Sequence, residues 1–173
     1  MVISYYLRRT TLATRSNERA LPGRNVTPVL VVLREYGATK AAEGLSLLQF
    51  IEKQAQSRYQ LAPPPGAFEY LFLNGRAFVV FDGLDELLDT YFRQEISADV
   101  ESFCNLYPAV PALVTSREVG YDQAPLDANI FNLYAIAPFS DEQVESYARK
   151  WFARDEELRP DQQNQKAMAF LSV

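Results

Sequence analysis

The sequence contains no histidine and a single cysteine, Cys104. Without histidine, the chain cannot build a Ser-His-Asp triad or a histidine-ligated metal site. One cysteine excludes an intrachain disulfide and a CxxC pair. The apolar neighbours of Cys104, which are Val100, Phe103 and Leu106, predict a buried thiol rather than a nucleophile.

Long apolar runs are also lacking, since none approaches the roughly 20 residues that cross a bilayer. The 17 basic and 22 acidic residues give a net charge of -5. This balance gives no bulk attraction for nucleic acids or anionic membranes, so neither partner is expected. A lone cysteine fits a reducing compartment, and we expect a soluble, cytoplasmic protein. A chain of 173 residues suits one domain.

Short apolar runs of strand length alternate with segments of helical periodicity. This alternation predicts an α/β layered fold with a mainly parallel sheet whose strands are covered on both faces. A capping box formed by Ser140 and Gln143 marks one helix start. The N-terminal helix is predicted from the spacing of Ile3, Tyr6, Leu7 and Thr10. Predicted strands cover residues 29–33, 77–81, 112–115 and 130–136; predicted helices cover residues 2–15, 45–59, 67–73, 94–106 and 141–152, with another opening at 166 and a loop over 17–25.

The run FVVFDGLDE at residues 78–86 places acidic side chains directly after a buried strand. In sheets of this kind, ligands bind at the carboxyl ends of the strands. Asp82 at the strand tip suits Mg²⁺ held largely through water against nucleotide phosphates. Gly83 leaves room beside it, and Asp85 with Glu86 can position or deprotonate an attacking water.

Two other interpretations of this acidic cluster stay open. In the first, Asp82 and Gly83 form a turn, and the later acids face the positive end of a helix dipole. In the second, Asp82, Asp85 and Glu86 hold two metal ions for nuclease chemistry. The nuclease interpretation leaves the polar end of the next strand unexplained.

The next predicted strand also ends in polar residues, Thr115, Ser116 and Arg117. Parallel strands end at the same edge of a sheet, so these side chains are expected close to the acidic cluster. An arginine there can bind a terminal phosphate through paired hydrogen bonds. The simpler interpretation is a surface arginine that pairs with a nearby acid.

These motifs together resemble the NACHT family of signal-transducing NTPases. Residues 78–86 are similar to the family's Walker B strand, with Asp82, a small residue, an apolar residue and two acids in order. Residues 115–117 resemble its sensor segment, and residues 118–121 (EVGY) resemble bacterial members in particular. Residues 29–36 match the strand that precedes Walker B, and residues 133–152 match the strand and helix that follow the sensor. The likeness covers nearly the whole chain.

The resemblance implies a P-loop NTPase-like three-layer fold that binds ATP or GTP with Mg²⁺. It implies a switch in signal transduction or bacterial defence that often forms homo-oligomers. By this resemblance, Asp82 holds the metal, Asp85 and Glu86 orient water, and Arg117 senses the terminal phosphate. Thr115 and Ser116 join Asp82 and Arg117 as nucleotide contacts.

One family element has no match in these 173 residues, the phosphate-binding loop GxxxxGK[ST]. No lysine of the chain follows a glycine. In the family, the loop and its strand come before a helix like that predicted at residues 2–15, and the strand lies between the sensor strand and the last strand. The resemblance therefore predicts a partial NACHT domain over residues 1–173, without the first strand and the loop.

Two functions follow from this departure. The first is the central fragment of an NTP-hydrolysing switch, which is active in the full-length protein and inactive as an isolated chain. The second is a non-catalytic interaction or regulatory module that keeps the fold without the phosphate-binding loop.

Overall fold

A computed structural model describes residues 3–8, 26–87, 90–121, 124–155 and 159–171. The chain divides into two compact units, Met1–Ile136 and Ala137–Val173. No helix in the described ranges is long and apolar enough to cross a membrane. The elements of the first unit are β1 (Ile3–Arg8), β2 (Thr27–Val32), α1 (Leu33–Glu43), α2 (Leu47–Ser57), α3 (Ala67–Leu73), β3 (Ala77–Asp82), a 3₁₀ turn (Leu84–Glu86), α4 (Thr90–Leu106), β4 (Ala112–Arg117), α5 (Glu118–Tyr121) and β5 (Phe131–Ala135).

The strands form one sheet in the order β2-β3-β4-β1-β5. Strands β2, β3 and β4 are parallel neighbours, whereas β1 is antiparallel to both β4 and β5. The predicted α/β fold with a mainly parallel sheet is therefore confirmed. Pro28 lies inside β2, where the missing N–H is tolerated because β2 is an edge strand.

The N-terminal prediction is wrong where the structure describes it. Residues predicted as part of a helix over 2–15 form strand β1, which pairs Ile3 with Arg117 of β4 and Arg8 with Phe131 of β5. A segment of only six residues fits both periodicities, and the β-branched and aromatic residues of ISYYLR favour a strand once neighbours supply hydrogen bonds on both sides. The rest of that helix and the loop over 17–25 lie outside the described residues.

Strand β1 occupies the place in the sheet where the resemblance predicted a missing strand, the one that precedes the phosphate-binding loop. Between the sensor strand and the last strand, the sequence predicted a gap. In the structure, β1 lies between β4 and β5, and it runs against both.

The main core lies between one face of the sheet and the helices. Alternate residues of β3 and β4 are buried, including Val79, Phe81 and Val114, each 0% exposed. Phe103 of α4 packs edge-on against Phe81, with ring centroids 5.6 Å apart. The other face is less covered at the sheet edge, where Leu30 is 46% exposed.

Helix α1 was not predicted, because its inward face includes a glycine. Gly37 is buried with Leu33 and Tyr36. A Cβ at Gly37 would lie 2.8 Å from Cε1 of Phe92, so a larger residue would require the Phe92 ring to move. By contrast, α3 has the predicted bounds, α2 lies within its predicted range, and all strands except the N-terminal one were predicted. Helix α4 begins at Thr90, before its predicted start at residue 94.

The second unit contains α6 (Asp141–Phe152) and α7 (Pro160–Leu171). The predicted capping box at the start of α6 is confirmed, because Ser140 and Gln143 exchange side-chain and backbone hydrogen bonds. Helix α7 begins at Pro160, earlier than the predicted start at 166, since proline is compatible with a first helical turn.

Candidate functional site

The register of the sheet brings the end of β3 against the end of β4. The strands pair Val79 with Ala112 through to Phe81 with Val114, so Asp82 follows beside Thr115. The Thr115 hydroxyl donates a hydrogen bond to Asp82 Oδ1 at 2.5 Å. The same hydroxyl oxygen accepts the Gly83 backbone N–H at 3.0 Å. One side chain of β4 therefore fixes both the predicted metal-binding acid and the residue after it.

Gly83 turns the chain sharply as it leaves the strand. Its φ of +79° lies in the left-handed region, where glycine is favoured. The following 3₁₀ turn is closed by the Glu86 N–H donating to the Gly83 carbonyl at 3.0 Å. A Cβ at Gly83 would lie 3.1 Å from Cδ of Glu86. Leu84, 1% exposed, points into the core as predicted.

Asp85 is bound twice by Arg117. The Arg117 backbone N–H donates to Oδ1 at 2.9 Å, and its Nε lies 3.3 Å from Oδ2. The Asp85 side chain is 11% exposed and the Arg117 side chain is 59% exposed. Asp85 thus continues the bonding between the strands beyond the point where their backbone pairing ends.

Glu86 differs from the other two acids. Glu86 is exposed, and in the described ranges its carboxylate makes no hydrogen bond or ion pair. It is the acid of this turn that is free to accept a proton from water.

Ser116 lies on the opposite face of β4 from Thr115, as strand alternation requires. It is 2% exposed, and its hydroxyl donates to the Arg117 carbonyl at 3.0 Å. The structure therefore brings together Asp82, Asp85, Glu86, Thr115 and Arg117, whereas it turns the Ser116 side chain away.

The sequence analysis did not identify Arg93, because the helix was predicted to begin at residue 94, directly after it. Arg93 is 6% exposed in the first turns of α4. Its Nε donates to the Leu87 carbonyl at 3.2 Å, and its Nη2 donates to the carbonyls of Leu87 and, at 3.3 Å, Asp85. A single arginine near an acidic turn is a weak signal in a sequence, since most arginines lie at the surface.

Comparison with known proteins decides the family. The NACHT domain family model matches residues 10–155. The chain belongs to the NACHT family. No curated protein and no solved structure gives a significant match. Membership makes this a domain of the nucleotide-binding NTPase class, and the match includes all five side chains that the structure brings together.

The donor set of this NACHT domain fits Mg²⁺. No described group of three or more histidine, cysteine, aspartate or glutamate side chains is placed to hold a metal. Mg²⁺ needs fewer protein ligands, because it keeps several waters and binds one or two carboxylates plus phosphates. The exposed Asp82, with the Thr115 hydroxyl beside it, offers hard oxygens of this kind.

A second polar cluster joins α1 to α4. The Tyr36 hydroxyl donates to Asp99 Oδ2 at 2.6 Å, and Lys40 pairs with Asp99 and, at 2.8 Å, with Glu95. Burial raises the pKa of Tyr36 well above its ordinary value, and the hydrogen bond to Asp99 raises it further. Burial opposes the charged form of Lys40, but its contacts with Asp99 and Glu95 outweigh burial and raise its pKa. The cluster holds these helices together.

Proposed function

We propose that this NACHT domain supplies the magnesium and sensor residues of an NTP-hydrolysing switch in signal transduction. The observation that supports the proposal is the pair of contacts joining Asp82 to Thr115 and Asp85 to Arg117. Through these contacts, acids that suit magnesium and water meet an arginine that suits a phosphate at one sheet edge. ATP and GTP fit this chemistry equally.

In this proposal, Asp82 holds Mg²⁺ largely through water. When bound, the ion would neutralise charge on the nucleotide phosphates. The hydrogen bond from Thr115 fixes the orientation of the Asp82 carboxylate. Of the remaining predicted nucleotide contacts, Ser116 would have to act through its backbone, because its side chain is 2% exposed.

Glu86 and Asp85 have different tasks in the proposed mechanism. Glu86, which is exposed and without a partner in the described ranges, accepts the proton of the attacking water. Asp85 holds Arg117 at the strand edge, and the exposed guanidinium can reach a terminal phosphate.

Phosphate binding by these 173 residues alone is expected to be weak, because they contain no GxxxxGK[ST] loop. We propose that residues 1–173 are part of a larger cytoplasmic protein, in which oligomerisation accompanies the switch. Calorimetry with ATP and Mg²⁺ tests the expectation. Millimolar affinity that falls further in Asp82→Asn would support the proposal, whereas micromolar affinity unchanged in Asp82→Asn would refute it.

A non-catalytic interaction module is the alternative function. It is favoured by one observation: Asp82 and Asp85 are both already bonded to the chain's own residues, so the sheet edge is stable without a ligand. The DNA that precedes the Met1 codon separates the two functions. An in-frame GxxxxGK[ST] supports the switch, and an intergenic region with a ribosome-binding site supports the module.

A further inference from the structure

We propose that Arg93 is a positioning residue for the acidic turn. This inference rests on the proposed function, because it assigns Arg93 to the site that Asp85 and Glu86 form. Arg93 lies on α4, whereas the acids lie on the 3₁₀ turn that leaves β3. Its guanidinium acts through the backbone of that turn and touches neither reacting group.

The turn needs an external donor because it is too short to satisfy itself. It spans Leu84–Glu86, and Leu87 then has extended backbone angles, with φ −78° and ψ 114°. The Leu87 carbonyl therefore leaves the helical hydrogen-bonding pattern although the residue is 4% exposed. A buried carbonyl without a donor is costly. Arg93 supplies donors to this carbonyl and to that of Asp85.

Arginine suits this task better than other residues. Its planar guanidinium carries several donors in a fixed fork, so one side chain can hold two carbonyls at a set spacing. Lysine would supply a single flexible ammonium. An apolar side chain would fill the space with a smaller desolvation cost but would leave both carbonyls without this donor.

The consequence extends to the strand edge. Fixing the Asp85 carbonyl fixes the backbone from which the Asp85 carboxylate reaches the Arg117 N–H at 2.9 Å. Glu86, the next residue, shares that backbone. Together with the turn at Gly83, Arg93 therefore sets where both acids stand relative to Arg117.

Amide hydrogen exchange without nucleotide tests this role in the complete chain. The Arg117 N–H reports directly on Asp85, and the amides of Phe81 and Val114 report on the sheet beneath the turn. In Arg93→Met, we expect exchange at Arg117 to accelerate by roughly ten- to a hundredfold, while Phe81 and Val114 change little. Arg93→Lys should give a smaller acceleration at the same amide.

A matched control is Arg58→Met, which removes an arginine that pairs with Glu35 at the surface, where the arginine side chain is 46% exposed. It should leave the Arg117 amide unchanged. Equal acceleration of all three reporter amides in Arg93→Met would overturn the proposal, because it would mean general destabilisation. If Arg93→Met does not fold, Arg93→Lys decides: wild-type exchange at Arg117 in that variant would overturn the proposal.

The outcome is separable from that of the proposed function. Selective acceleration at Arg117 in a chain that shows no magnesium-dependent nucleotide binding would sink the proposed function and leave the positioning of Asp85 intact. Magnesium-dependent nucleotide binding without selective acceleration at Arg117 would support the proposed function and overturn the positioning role of Arg93.

Discussion

Removing the Asp85 carboxylate should destabilise the first unit more than removing an ordinary surface acid. Asp85→Ala deletes the acceptor of the Arg117 N–H and one partner of the Arg117 guanidinium. A hydrogen bond to a charged group contributes about 1.5–3 kcal/mol. The ion pair adds less than about 1 kcal/mol, because Arg117 is 59% exposed and screened by solvent. We expect a loss of about 2–3 kcal/mol in the free energy of unfolding.

Asp85→Asn separates the two contributions. The amide keeps an oxygen acceptor for the Arg117 N–H but carries no charge. We therefore expect it to lose only about 1 kcal/mol. Glu43→Gln is the matched control, since Glu43 pairs with Lys53 and both side chains are 46% exposed. The control should lose less than about 0.5 kcal/mol.

The assay must report on the first unit alone. Tryptophan fluorescence is unsuitable, because the only tryptophan of the chain, Trp151, lies in the second unit. Urea titration followed by NMR signals of β3 and β4 amides gives the free energy of unfolding of the first unit. If Asp85→Ala matched Glu43→Gln, or if Asp85→Asn lost as much as Asp85→Ala, the structural account of this carboxylate would be wrong.

Three further predictions concern residues around the site and the core. Because the pKa of Tyr36 is raised above its ordinary value of 10.0, the contribution of Tyr36 to the free energy of unfolding is complete below that pH and is lost as the pH rises further. Tyr36→Phe should therefore reduce the loss of stability at alkaline pH, as measured by urea titrations from neutral to alkaline pH. Gly83→Ala should lose about 1–2 kcal/mol at a φ of +79° and shift the Glu86 amide in NMR spectra, and unchanged stability would contradict the turn. Ser97→Ala should be neutral or stabilising by up to about 1 kcal/mol in the same titration, because the buried Ser97 hydroxyl has no hydrogen-bond partner among the described residues; a clear loss would contradict this.

The sequence predicted those parts of the fold whose signals are local. Strands β3 and β4 are short apolar runs bounded by turn residues, and the α6 start carries its own capping box at Ser140 and Gln143. The β1 segment could not be assigned in this way, because its strand state depends on partners in β4 and β5 that are distant in sequence. Helix α1 was missed because its glycine at position 37 is explained by close packing against Leu87 and Phe92, which are distant in sequence.

The candidate site shows the same division. The acids and Arg117 could be found because polar residues directly after buried strands converge at one edge of the sheet. The hydrogen-bond partners of these residues could not be predicted in the same way. Sequence alone does not tell that Asp85 binds the Arg117 N–H, that Ser116 turns away, or that Arg93 reaches back to the turn. Each depends on backbone geometry beyond the strand ends.

Mapping Mg·ATP onto the ¹⁵N-labelled chain by NMR tests the central claim most directly. We predict that the largest amide shifts occur at Gly83, Asp85, Thr115 and Arg117, that they require Mg²⁺, and that Asp82→Asn reduces them. Asp141→Asn, at an exposed acid in the second unit, should leave them unchanged. Absence of shifts at millimolar nucleotide, or equal shifts in Asp82→Asn, would contradict the claim that this edge of the sheet binds a magnesium nucleotide.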